Sequence, residues 1–70
     1  MTFADAMIRR MHELGMRPSE LADRSGVSKP YISQLMNGKI VDPTWVKACA
    51  IIAALDLTVS EFAARQRGGD

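Results

Sequence analysis

The stretch Pro18–Gly38, PSELADRSGVSKPYISQLMNG, decides the fold. Pro18 suits the first position of a helix, where its missing N–H costs nothing. Leu21 and Ala22 then point to one inward side, and Gly26 closes the helix. Ser28 is a good N-cap for the next helix, Pro30 is tolerated in its first turn, and Ile32 and Leu35 face inward. Asn37-Gly38 stops that helix. The pattern is two short helices joined by a turn of three residues or so around a glycine.

The same grammar extends in both directions. Phe3, Met7, Met11 and Leu14 recur at three and four and end at Gly15, which predicts a first helix. Asp42-Pro43 predicts a cap and first position for a fourth helix running to about Leu55. Thr58 and Glu61 have capping-box spacing for a fifth. A residue just before a cap can pack on the fourth helical residue and fix the entry angle. Met16 with Leu21, Val27 with Ile32, Val41 with Val46, and Leu57 with Phe62 all have that spacing. Residues from Arg65 onward, 66–70 above all, read as a frayed, solvated tail. The fold class expected is all-α, a five-helix bundle in one domain spanning 1–70. Its core is expected to hold Phe3, Met7, Met11, Leu21, Ala22, Val27, Ile32, Leu35, Trp45, Ala48, Ile52, Leu55 and Phe62.

Composition narrows the classes. Seventy residues make one domain, and a core this small needs help from disulfides, metal, close helix packing or a second copy. One cysteine (Cys49) and one histidine (His12) exclude a disulfide framework and a closed four-ligand zinc site, so no cofactor is expected. No charge-free apolar run reaches spanning length, and Asp5 ahead of Arg9 and Arg10 is unlike a signal peptide, which predicts a cytoplasmic protein with no membrane partner. No acid pair, phosphate loop or nucleophile–base pair appears, so no enzyme is expected and no small-molecule ligand is evident. Cys49 lacks a basic neighbour to activate it. Met7, Met11 and Met16 read as core filler, and Trp45 as a core anchor. The formal charge is only +1, yet Arg24, Lys29 and Lys39 occupy the span between Asp23 and Asp42 without any acid.

A helix–glycine turn–helix unit in a basic segment has the signature of a helix-turn-helix, here 18–38, whose second helix enters the major groove. With Ile32 and Leu35 turned inward, Lys29, Pro30, Ser33, Gln34 and Asn37 turn outward. The segments LGMRPSELADRSGVSKPYISQLMNGKIVDP (14–43) and TWVKACAIIAALDLTVSEF (44–62) resemble the Cro/C1-type (XRE-like) helix-turn-helix family of phage repressors and small bacterial regulators. The resemblance implies a five-helix fold and binding of operator sequences in double-stranded DNA as a homodimer on two half-sites. It also implies a transcriptional regulator, of the repressor kind, without catalysis. The alternative is a protein-interaction module of the same fold, such as the antitoxin of a toxin–antitoxin pair.

Carried over by that resemblance, the base-reading positions are Ser28, Lys29, Pro30, Ser33 and Gln34. Gln34 leads, since an amide can bond adenine N6 and N7 together, while Lys29 either reads guanine or holds a phosphate. The DNA-backbone positions are Arg17, Pro18, Ser19, Tyr31, Asn37, Lys39 and Thr44, with Tyr31 left open between phosphate contact and packing over the turn. Pro18 stands where the family very often has glutamine, and Pro30 where many members have a polar reader.

The fourth helix carries a last expectation. At about 100° per residue, Trp45, Ala48, Ile51, Ile52 and Leu55 share one arc. Val46, Cys49, Ala50, Ala53 and Ala54 lie opposite, where only Lys47 brings charge. A helix apolar nearly all round predicts a second buried face, a two-fold interface with another copy.

Overall fold

A computed structural model describes residues 1–67 of the chain. The described residues form α1 (Phe3–Leu14), α2 (Pro18–Ser25), α3 (Lys29–Met36), α4 (Trp45–Ala54) and α5 (Val59–Gln66), with no strand. Each helix begins and ends for a local reason. Thr2 and Asp5 form a capping box at α1, and Thr58 and Glu61 another at α5, each side chain bonding the other's backbone N–H at 2.8–3.2 Å. Ser28 accepts the Tyr31 N–H at 3.3 Å and caps α3.

The far ends of α1 to α4 each close through a left-handed residue, Gly15, Gly26, Gly38 and Asp56 in turn. After α1, Gly15 gives its N–H to His12 and Met16 gives its own to Met11. After α3, Gly38 bonds back to Leu35 and Lys39 to Gln34. This reciprocal pair of bonds satisfies carbonyls that a helix end would otherwise strand. It also turns the chain sharply, so five helices of 8–12 residues fold over one another within a few residues of loop.

One core results. Met7, Leu21, Ile32, Leu35, Ile51 and Leu55 are wholly buried, and Phe62 nearly so. Phe3 and Phe62 meet with ring centroids 4.7 Å apart, joining the start of α1 to α5. A second tie lies at the rim. Arg10 donates to the Leu55 carbonyl at the end of α4 (2.9 Å), and Glu13 accepts from both Arg10 (3.0 Å) and Arg65 (2.8 Å).

Three expectations are corrected. The fourth helix starts at Trp45 with Thr44 as N-cap, not at Asp42-Pro43. Its register therefore offers no staple between Val41 and Val46, which are 65% and 77% exposed. Trp45 is 69% exposed, although the rest of the expected core is buried. It sits at the first helical position and on the edge of the apolar arc, and helical side chains lean toward the N-terminus. The indole therefore projects past the core. It lines a half-open groove of about 220 Å³ with Phe3, Ile52, Val59 and Phe62. Finally, α5 runs through Gln66 and Arg65 is held by Glu13, so residues 65 and 66 are helical where a frayed tail is expected. The rest of the expected tail, 68–70, lies outside the described residues.

Candidate nucleic-acid interface

The turn between α2 and α3 sets the site. Gly26 has φ 74°, a left-handed backbone that costs glycine nothing, and its N–H returns to the Ala22 carbonyl at 2.9 Å. The Ser25 hydroxyl donates to the Ala22 carbonyl (3.4 Å) and accepts the Val27 N–H (3.2 Å). Val27 is buried beneath the turn and Ala22 is buried between the helices, where a larger side chain would hold them apart. The direction of α3 is thus fixed from one end by the turn and along its length by Ile32 and Leu35.

The opposite face of α3 is open. Ser28, Lys29, Pro30, Ser33 and Gln34 are all exposed, as are Asn37 and Lys39 just beyond. The Gln34 side-chain amide has no hydrogen-bond partner among the described residues, so both its donor and acceptor ends are available. Asn37 donates to the Ser33 hydroxyl at 3.4 Å, which leaves that hydroxyl's own proton to give away. Arg17, Pro18 and Ser19 are exposed at the start of α2, and neither Arg17 nor Thr44 caps its helix with a side chain. The first turns of α2 and α4 therefore carry no side-chain cap at the positive ends of their helices, an arrangement suited to anions.

The charges sort by partner. Arg24 pairs with Glu20, and Arg10 and Arg65 pair with Glu13. Arg17, Lys29, Lys39 and Lys47 pair with no described carboxylate. Three of those four belong to the expected site. Lys47 does not, and sequence reasoning missed it. Its ammonium lies 4.1 Å from the centre of the Tyr31 ring, and the Tyr31 hydroxyl accepts the Thr44 N–H at 3.3 Å. The packing of α3 against the start of α4 creates this cluster, and no spacing within either helix encodes it. Tyr31 is accordingly half-buried and engaged within the molecule. No group of three or more potential metal-ligating side chains occurs among the described residues.

A buried-turn pair of helices with an open polar second helix defines an all-helical domain of the helix-turn-helix class, the class that reads DNA through its second motif helix. A helix-turn-helix domain family matches residues 3–64, and the chain belongs to that family. No curated protein and no solved structure matches it. Among the described residues no helix is long and apolar enough to cross a membrane.

Proposed function

We propose that the chain is a cytoplasmic transcriptional regulator of the Cro/C1 type, a repressor that binds an operator in duplex DNA as a homodimer. One observation carries this reading. The face of α3 opposite the wholly buried Ile32 and Leu35 is an open row of hydrogen-bonding side chains, with cations beside it that no described carboxylate neutralises. Ser28, Lys29, Ser33 and Gln34 are the base readers, and Pro30 adds an apolar contact. Arg17, Pro18, Ser19, Tyr31, Asn37, Lys39 and Thr44 lie against the DNA backbone, Pro18 by contact alone.

The second copy is supported by size and by surface. The longest extent of the fold is 29 Å, shorter than the ~34 Å between half-sites on one face of the duplex. One copy therefore spans one half-site. Trp45 and Val46 expose most of their apolar surface, and Cys49 and Ala53 continue that face, while Ala50 and Ala54 turn partly into the chain's own core. We assign this face of α4 to the two-fold contact. The same apolar face would serve an antitoxin's protein partner, and salt separates the two readings. Selecting bound sequences from random duplex DNA tests the proposal. Enrichment of an inverted repeat, lost steeply as salt rises, is expected. Recovery of no preferred sequence would overturn it.

A further inference from the structure

The start of α4 is tied to α3 through one side chain, and each contact leaves a capacity unspent. The Tyr31 oxygen accepts the Thr44 N–H, yet its own proton has no acceptor among the described residues. A phenol that accepts a hydrogen bond becomes a better donor. The Lys47 ammonium rests over the ring of that phenol and keeps its three N–H donors, with no described carboxylate beside it. The Thr44 hydroxyl oxygen, which at an N-cap commonly accepts a first-turn N–H, accepts none here. A full positive charge and a phenol whose proton has no described acceptor therefore stand together beside the first turn of α3.

We infer that Lys47 and Tyr31 form a phosphate seat, in which Tyr31 positions the Lys47 ammonium and adds its own O–H to one backbone phosphate of the duplex. The inference rests on the DNA-binding reading above. A free lysine loses much rotamer freedom when it engages a ligand. The ring contact takes up part of that loss before DNA arrives. A phosphate presents several acceptor oxygens, so ammonium and phenol can both donate to it. Contacts of this kind fix the register in which base readers such as Gln34 are presented.

The test compares the unmodified chain with Lys47→Ala, Tyr31→Phe and Tyr31→Leu on a labelled pool of random-sequence duplexes across a salt series. Lys47→Ala is expected to lower the slope of log affinity against log salt by about 0.9. Its helicity and thermal midpoint should be unchanged, since Lys47 is exposed. Tyr31→Phe keeps the ring and should keep the slope while losing affinity several-fold. Tyr31→Leu removes the ring, and Lys47→Ala should then cost less than it does in the unmodified chain. An unchanged slope for Lys47→Ala overturns the inference and leaves the DNA-binding reading standing. Full affinity in Tyr31→Phe removes the phenol from the seat, and strictly additive losses remove its positioning role. An unmodified chain that binds no duplex overturns both readings.

Discussion

Asp56 is the one described residue other than glycine with a positive φ, 61°. It closes α4, its N–H reaching Ala53 at 3.0 Å while Leu57 reaches Ile52 at 3.2 Å. A Cβ is crowded in that conformation, and a carboxylate stands poorly at the negative end of a helix. Glycine relieves both and gives back part of the gain through a freer unfolded chain, so Asp56→Gly should stabilise by about 0.5 kcal/mol. That corresponds to a thermal midpoint higher by about 2–4 °C, and a lower midpoint would contradict the strain. If the outward face of α3 reads bases as proposed, Gln34→Ala should cost about 1–3 kcal/mol on the selected site and relax preference at one base pair. Lys39→Ala should weaken every sequence alike and lower the salt slope by about one unit. Equal losses on all sequences for both would remove Gln34 from base reading. At this scale the sequence is legible where a residue's role is local: Ser28 and Gly26 are caps and turns wherever the chain goes. Trp45 was not legible, because its exposure depends on where α1 and α5 stop covering α4.

Between elements, the charged rim of α1 decides how helices are held at acid pH. The Arg65 and Arg10 guanidinium groups, Arg65 first, draw the Glu13 carboxyl from its ordinary 4.5 down to about 2. Glu61 is lowered too, by the Thr58 backbone N–H and hydroxyl. A carboxyl whose folded pKa is depressed contributes its stabilisation fully above the unfolded value and loses it as pH falls through the folded one. The thermal midpoint should therefore drop as pH is lowered from about 4.5 to about 2. Glu13→Gln should start from a lower midpoint at neutral pH and fall less over that window. Parallel curves would show that the carboxylate bridging α1 and α5 does not hold the fold. The capping boxes behind these helices differ in how openly they are written. Thr58 and Glu61 stand out, and Thr2 with Asp5 has the same spacing but uses the shorter acid. The bond from Arg10 to the Leu55 carbonyl spans most of the chain, and no local pattern announces it.

The whole molecule is a small core with a polar side on α3 and an apolar side on α4. If the apolar side is the two-fold contact, Ala53→Glu places two charges against each other across the axis. Sedimentation should then find a helical monomer with operator affinity strongly reduced. A monomeric unmodified chain at micromolar concentration, binding DNA as well as the variant does, would reject the interface. The architecture was readable because short loops and strong caps leave five short helices few ways to pack. On α4 the sequence offers only a surplus of apolar residues, since a sequence shows which residues need cover and not which surface covers them. The contact between Phe3 and Phe62 has a further consequence, for synthesis. Within this domain α1 is synthesised before the others and has no lid for Phe3 until α5 is made. At ~5–20 residues per second, α1 waits for several seconds as a nascent amphipathic segment. Because its last large core residue comes so late, this domain completes its fold only when nearly all of the matched segment is free of the ribosome, and a chain cut short before Phe62 would emerge sticky instead of merely weaker.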